Sequence, residues 1–488
     1  MSDDLRKKPV VGSDVLSVPR LTIAAVRGGS GKTIVSLGLV RAWRREEKIV
    51  VPFKKGPDYI DAGWLGRSAG RPCFNLDPYL MPWPVVEASF FRRTSGADVG
   101  VIEGNRGLFD GVDEAGSYST AELAKRLDCP IVLVLDCTKM TRTAAAVVWG
   151  CANFDSSVRI GGVILNQVAH GRQEGIVRAA IESRTGIPVL GVLPRLKEDP
   201  LPMRHLGVLP SGEHPEADKV LDDLADLVSR HADLAALKAL AESAAPMSAP
   251  EGGGPQPNPS CPSHERPRIG IVRDEAFQFY YPENMEALDS AGGDLVFLDS
   301  LRDPVVPEID ALYIGGGFPE TMAGPLSENM GFRAGILDLI QDGLPVYAEC
   351  GGLMYLGRHI QWEGKTYSMV GALGLDFVLS RRPVGHGYSI LEVREDTPFH
   401  SAGCVLRGHE FHYSRPVFLD GFRGSLSCRV ARGHGFDGKS DGVTYRNVFG
   451  TYTHLHALAS PDWAGRIVKA ARRYRVGRGM STKSPSRP

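Results

Sequence analysis

The sequence predicts an α/β protein built from two parallel-sheet halves, on three observations. Short unbroken apolar runs alternate with helical stretches along both halves, the pattern of strands covered on both faces by crossover helices. A stretch rich in proline, glycine and serine, "AAPMSAPEGGGPQPNPSCPSHERP" at residues 244–267, separates the halves and holds too few apolar residues to order itself. Each half also carries a strand–turn–helix junction with reactive side chains, "VRGGSGKT" at 26–33 and "LPVYAECGGLMYLG" at 344–357. In open parallel sheets ligands bind beyond the carboxyl ends of the strands, where both junctions fall.

The first half, expected over residues 20–243, has the strand runs "RLTIAAV", "KIVVPF", "DVGVIEG", "PIVLVLD", "GGVILN" and "IPVLGVLP". Helical stretches such as "TIVSLGLVRAWRREE" and "STAELAKRL" lie between them. The second half, expected over 268–475, repeats the plan with "RIGIVRD", "DLVFLD", "ALYIGGG" and "LPVYAECGG", then turns β-rich near 365–456. Residues 476–488 are expected to be a mobile tail. A chain of 488 residues is too long for one ordinary core, so more than one domain is expected.

Composition excludes several partners. A net charge of −1 supplies no basic field for nucleic acid or an anionic membrane. No apolar run in the sequence approaches the ~20 residues that span a bilayer. The eight cysteines include no CxxC spacing, which argues against structural zinc. Reduced thiols and a cytoplasmic location are the expectation.

"VRGGSGKT" ends as a phosphate-binding loop does but begins differently. The usual loop has glycine, four residues, then Gly-Lys-Ser/Thr, and the position of that first glycine is Val26. The context still fits, because the segment follows a strand and opens a helix. Gly28, Gly29, Ser30 and Gly31 present backbone N–H groups, and the helix N-terminus adds its dipole. Lys32 can reach outer phosphates, and Thr33 can ligate magnesium. The competing reading is a turn with a chance Gly-Lys-Thr. In "VIEGNRGLFDG", Glu103 follows another strand and is read as a holder of the metal on ATP, against capping or pairing with a lysine. "FKKGPDYIDAGW" gathers Lys54, Lys55, Asp58, Tyr59 and Asp61 beyond a third strand, either solvated in a turn or facing substrate. Asn75 and Asp77 in "CFNLDPYL" either cap a helix or face substrate.

In the second half Cys350 sits at an abrupt turn between Ala348 and Gly352, small residues that permit a strained nucleophile elbow. The helix that follows is expected to lower the thiol pKa. The Gly351 N–H and the backbone of Gly315, Gly316 and Gly317 are candidates to stabilise an oxyanion. His454, with His456 two residues on, is the candidate base. No carboxylate stands two residues after His454 as a third triad member; that place is His456. His409, Glu410 and His412 read as a structural cluster, and the aromatics of "FQFYYPENMEAL" read as core or as a wall for a large ligand.

Together these blocks resemble the cobyrinic acid a,c-diamide synthase family over nearly the whole chain. They are "GGSGKT", "PFKKGPDYID", "FNLD", "EGNRGLFDG", "GVILN", "FYYPEN", "GGGFPE", "AECGGLMYL", "GHEFHYS" and "GTYTHLH". The resemblance implies a P-loop NTPase-like amide-forming domain, similar to dethiobiotin synthetase, followed by a class I glutamine amidotransferase-like domain. It implies ATP and Mg2+, glutamine as nitrogen donor, and a cobyrinate-like tetrapyrrole bound near Lys55, Asp58, Tyr59, Asp61, Asn75, Asp77 and Arg106. It allows a homodimer. The family's phosphate loop is one residue longer than the ordinary one and usually begins Gly-Thr where this chain has Ala25 and Val26. The missing threonine hydroxyl removes one phosphate or magnesium contact. Asn105 and Arg106 replace a commonly apolar pair, and arginine binds carboxylates bidentately. That keeps nickel-sirohydrochlorin a,c-diamide synthase as the alternative within the family. A P-loop switch ATPase and a scaffold with an inert amidotransferase domain are the alternatives outside it.

Overall fold

The computed structural model describes residues 15–201, 203–204, 207–249 and 266–481. The chain divides into two compact units between Gly254 and Pro255.

The first unit is a seven-stranded parallel sheet. Its strands are β1 (Arg20–Ala25), β2 (Val50–Lys55), β3 (Phe74–Leu76), β4 (Val99–Glu103), β5 (Ile131–Asp136), β6 (Ile160–Val168) and β7 (Val189–Pro194), ordered β3-β2-β4-β1-β5-β6-β7. The connecting helices are α1 (Lys32–Arg45), α2 (Ile60–Ala69), α3 (Trp83–Thr94), α4 (Thr120–Arg126), α5 (Thr143–Phe154) and α6 (Gly171–Thr185), followed by α7 (Ala217–His231) and α8 (Leu234–Glu242). All six residues of β1 are buried, which is why its sequence is unbroken apolar apart from Arg20 and Thr22. Helix α1 starts from Gly31 in the left-handed region at φ 94°, a conformation glycine adopts without a Cβ penalty. Helix α4 starts instead on a side-chain N-cap, with the Ser119 hydroxyl accepting from the Glu122 N–H. Asn75 in "CFNLDPYL", a candidate helix cap or substrate contact, stands instead in the short strand β3, which pairs with β2.

The second unit has β8 (Arg268–Val272), β9 (Asp294–Leu298), β10 (Ala311–Ile314), β11 (Val346–Glu349), β12 (His359–Trp362), β13 (Lys365–Ser368), β14 (Leu375–Leu379), β15 (Gly385–Val393), β16 (Val405–His412), β17 (Ser414–Phe418), β18 (Ser425–Arg432), β19 (Ser440–Tyr445), β20 (Val448–Thr451) and β21 (His454–Leu455). A ten-stranded mixed sheet runs β9-β8-β10-β11-β20-β19-β18-β15-β16-β21. Its first five strands are parallel and the rest pair antiparallel. A second sheet runs β13-β12-β14-β17. Helices α9 (Pro282–Ser290), α10 (Ala323–Glu328), α11 (Met330–Gln341), α12 (Gly351–Leu356) and α13 (Asp462–Ser481) complete the unit.

Two expectations at the ends of the units are corrected. The tail was expected from residue 476, but α13 continues to Ser481. Its single glycines are outweighed by helix-forming neighbours, and Arg475 donates to the Arg266 carbonyl at 2.8 Å while Arg478 pairs with Glu308. The start of the expected linker belongs to the first unit. Met247–Ser248 pairs with Val15–Leu16, and the buried Arg20 guanidinium donates to the Ala245 carbonyl at 2.7 Å. Residues 250–265 and 482–488 lie outside the described residues. Among the described residues, no helix is long and apolar enough to cross a membrane.

Candidate active sites

The first site forms at the carboxyl ends of the central strands. A Cβ on Gly28 or Gly29 would meet nothing within 4 Å, whereas one on Gly31 would lie 2.1 Å from the Asn166 Nδ2. The loop is therefore open on one side and packed against β6 on the other. Asn166 braces it by donating to the Ser30 carbonyl at 2.9 Å. Lys32 Nζ donates to the Arg106 carbonyl at 2.7 Å, which holds it across the loop toward the segment that follows β4. Burial, then the nearby Lys54 charge, lowers the Lys32 pKa. Ala25 ends β1 fully buried, and its carbonyl accepts from the Leu108 N–H at 2.7 Å. Arg27, at the mouth, reaches Asp136 at 3.0 Å.

Thr33 Oγ1 donates to Glu103 Oε1 at 3.0 Å. Lys54 Nζ lies 2.7 Å from the same carboxylate and 2.6 Å from Asp61. Burial acts to lower the Lys54 pKa, but Asp61 and Glu103 outweigh it and hold it above the ordinary lysine value. Burial pushes the Glu103 carboxyl up against the pull of Lys54. Burial and Asp61 push Asp58 up to about 7. Glu103 Oε2 is buried without a hydrogen-bond partner. An orphaned carboxylate oxygen beside a threonine hydroxyl is a donor set that fits a hard divalent cation such as magnesium.

The substrate candidates separate. Asp58 accepts the Asp61 N–H at 2.8 Å, so these two form one turn with Lys54 beneath it. Tyr59 stands at the start of α2. Lys55 is buried beside Asp77 and Arg106, and burial lowers its pKa. Arg106 is exposed with φ 51°. Asn75 and Asp77 brace backbone rather than face a substrate. Asn75 donates to the Gly56 and Asp58 carbonyls at 2.8 and 2.9 Å, and Asp77 accepts from the Tyr79 and Leu80 N–H groups. Both are essentially unexposed. Beyond β5, β6 and β7 lies a cavity of about 500 Å³ lined by Thr138, Lys139, Gln167, His170, Gln173 and Arg195.

The second site is the elbow after β11. Cys350 has φ 45° and ψ −97°, a strained backbone for a residue with a Cβ. Its Sγ donates to the Phe411 carbonyl at 3.7 Å. The expected lowering of its pKa is corrected. Burial, then the Glu320 carboxylate, pushes the thiol up, against the Gly351 N–H. The helix is only six residues long, and its dipole does not outweigh full burial. A Cβ on Gly316 would lie 2.3 Å from His454 Cε1, and one on Gly351 would lie 3.0 Å from the Gly317 nitrogen. Nucleophile turn, glycine loop and histidine therefore converge. Gly315 drops out as an oxyanion donor, because its N–H donates to the Tyr280 hydroxyl at 2.7 Å. Gly316, Gly317 and Gly351 stay as candidates.

His454 Nδ1 lies 3.4 Å from Glu349 Oε2 and its ring stacks on His409 at 5.0 Å. His456 pairs separately with Glu283 at 3.6 Å. Tyr281 lies against the His456 ring at 4.4 Å and shares a hydrogen bond with His409 at 3.3 Å. Burial, with His454 and His456 nearby, depresses the His409 pKa well below the usual value. Of the expected cluster of His409, Glu410 and His412, only Glu410 and His412 lie together, while His409 stacks on His454. Glu410 and His412 are 3.6 Å apart, and His412 stacks on Tyr452 at 3.7 Å. Reading the sequence missed Glu349 and Asn166, and placed Tyr280 and Tyr281 only as core or as a wall for a large ligand. Glu349 had a visible signal, as an acid beside the nucleophile in "AEC".

Residues 21–208 match the CobQ/CobB/MinD/ParA nucleotide binding domain, and residues 268–462 match the CobB/CobQ-like glutamine amidotransferase domain. A cobyrinate a,c-diamide synthase of Magnetococcus marinus is 42% identical over 455 residues, 92% of this chain and 96% of that protein. Proteins of the same name from Archaeoglobus fulgidus and Methanosarcina acetivorans are 40% and 38% identical. They match over 93% and 96% of this chain, and 98% of each relative.

Proposed function

The chain belongs to the cobyrinate a,c-diamide synthase family, and from that premise we propose how it amidates the a and c acetate carboxylates of cobyrinic acid in cobalamin biosynthesis. Glutamine supplies the nitrogen, and ATP activates each acid. A bare carboxylate does not accept ammonia, because oxide is a poor leaving group.

In the second unit, the Cys350 sulfur attacks the glutamine side-chain amide as His454 takes the thiol proton. The C–N bond breaks, His454 returns that proton to the departing nitrogen, and a thioester remains. Water then releases glutamate. The N–H groups of Gly316, Gly317 and Gly351 stabilise the oxyanion.

In the first unit, a substrate carboxylate attacks the γ-phosphate of ATP and displaces ADP. Lys32 and the loop N–H groups from Gly28 to Thr33 carry the developing charge. Thr33 and Glu103 would hold magnesium, which neutralises phosphate charge when bound. Lys54 pairs with both Glu103 and Asp61 and holds them at the phosphate end of the loop. Ammonia then displaces phosphate from the acyl phosphate. Lys55, Asp58, Tyr59, Asp61 and Arg106 are the substrate contacts in this reading, and the cavity beyond β5 to β7 takes the nucleoside.

One observation carries the nucleotide reading: Thr33 and Glu103 meet at 3.0 Å beside a lysine already held across the loop. Mass spectrometry of products from ATP, glutamine and either cobyrinate or nickel-sirohydrochlorin tests the whole. Two new amides on cobyrinate are expected. Two amides on nickel-sirohydrochlorin alone would move the assignment to that tetrapyrrole, and none on either would overturn it.

A further inference from the structure

The Cys350 centre has a nucleophile and a base, but position 456, where a carboxylate would follow that base, is a histidine. Two buried carboxylates compete to orient the pair. Glu283 reaches His456 at 3.6 Å, and neither of its oxygens makes a hydrogen bond. Glu349 is the last residue of β11, is fully buried, and is held by two hydrogen bonds with the His454 ring beside it. Tyr313 donates its hydroxyl at 3.1 Å, the Leu455 N–H donates at 3.1 Å, and His454 Nδ1 lies at 3.4 Å. Removing a carboxylate from water costs several kcal/mol unless partners repay it. Here the partners come from β10 and β21, and one is the residue that follows the candidate base.

We infer that Glu349, the residue immediately before the nucleophile, is the positioning carboxylate of the glutaminase centre and acts through His454. Its oxygen accepts the Nδ1–H, which leaves Nε2 as the nitrogen that takes and returns the Cys350 proton. The same hydrogen bond stabilises the imidazolium formed when sulfur attacks. A 3.4 Å separation is long for that bond, and catalytic hydrogen bonds commonly tighten when substrate binds. Chain geometry gives the arrangement its economy. Because Cys350 turns sharply at φ 45°, consecutive residues serve both ends of the relay. Glu349 lies against Nδ1 of the histidine, and in this inference Cys350 is served by Nε2.

The inference rests on the glutaminase reading of Cys350, and the test separates the two. Glu349→Gln keeps the shape and leaves a carbonyl for the Leu455 N–H. Its amide can donate to His454 Nδ1 and so fix the tautomer that cannot act as base. Steady-state glutaminase kinetics on the full chain should show kcat reduced by about 10²–10⁴-fold, by analogy with other triads, with KM for glutamine little changed. Glu283→Gln, which alters the partner of His456 and not of His454, should keep a parent-like kcat. Tyr313→Phe, which removes one hydrogen bond from Glu349, should lower kcat by roughly 3–10-fold, the worth of about one such bond. If Glu349→Gln does not fold, as judged by its melting curve, the Tyr313→Phe result decides. Parent-like kcat in Glu349→Gln, or in Tyr313→Phe where that decides, overturns the inference, as does a loss carried only in KM or matched by Glu283→Gln. Glutaminase activity retained in Cys350→Ala would instead remove the reading beneath it.

Discussion

The phosphate loop and the thiol elbow are built alike. Each follows a fully buried parallel strand, turns through a residue with positive φ and opens a helix. Their surroundings differ. Gly28 and Gly29 are exposed, with open space where a Cβ would stand. At the elbow Cys350 is 4% exposed, His454 1% and Glu349 0%. A triphosphate is a large anion whose charge is met by backbone N–H groups, so its cradle must be empty before it arrives. A thiol that attacks an amide gains from dry surroundings, where aligned donors and a paired histidine act at low dielectric. The cost is a resting thiol whose pKa burial raises.

That contrast can be broken at several points. Cys350→Ala should abolish glutamine-dependent amidation, by about 10³-fold or more, and spare synthesis from added ammonia. Assays with the two nitrogen sources in parallel measure it. Equal loss with both sources would mean that the units are not chemically separable. Next in size, Lys32→Ala should reduce amidation from both sources by roughly 10²–10³-fold, the worth of one preorganised charge contact. Glutaminase activity measured alone should persist.

Gly316→Ala sharpens the comparison on the dry side. Its Cβ would come 2.3 Å from His454 Cε1, so the ring must shift. A loss of about 10-fold or more in glutamine-dependent kcat is expected, as for small misplacements of catalytic groups. Gly28→Ala, with nothing within 4 Å of its Cβ, should fold as the parent does and act only on the KM for ATP.

The smallest effect is on stability. Burial pushes Asp441 up to about 7, so the folded state holds this proton more tightly than the unfolded chain. Its contribution is complete below the unfolded carboxylate pKa of about 4 and is lost as pH rises toward 7. Relative to Asp441→Asn, the parent should therefore lose a few degrees of Tm, on the order of 5 °C, between pH 5 and pH 8. Parallel melting curves for the two would refute this.

Much of this comparison was legible in the sequence, for reasons that particular residues make plain. Strands such as "PIVLVLD" are continuous apolar runs because both faces are covered. Local junction chemistry survived too, since Lys32, Thr33 and Cys350 owe their roles to the few residues around them. What the chain did not disclose depends on contacts between distant segments. Asn166 braces the loop from β6, 136 residues from the Ser30 it holds, and Tyr280 takes the Gly315 N–H from a separate turn. The Cys350 pKa failed for the same reason, because local helix position was outweighed by burial under β16. The end of α13 failed differently: its ion pairs with Glu308 and the Arg266 backbone are invisible to local composition.

The central claim is that acid activation proceeds in the nucleotide unit without the thiol. Heavy-oxygen-labelled cobyrinate carboxylates, incubated with ATP, added ammonia and the Cys350→Ala chain, test it directly. The account predicts one labelled oxygen in inorganic phosphate for every amide formed. Amide formed with no label in phosphate would contradict it.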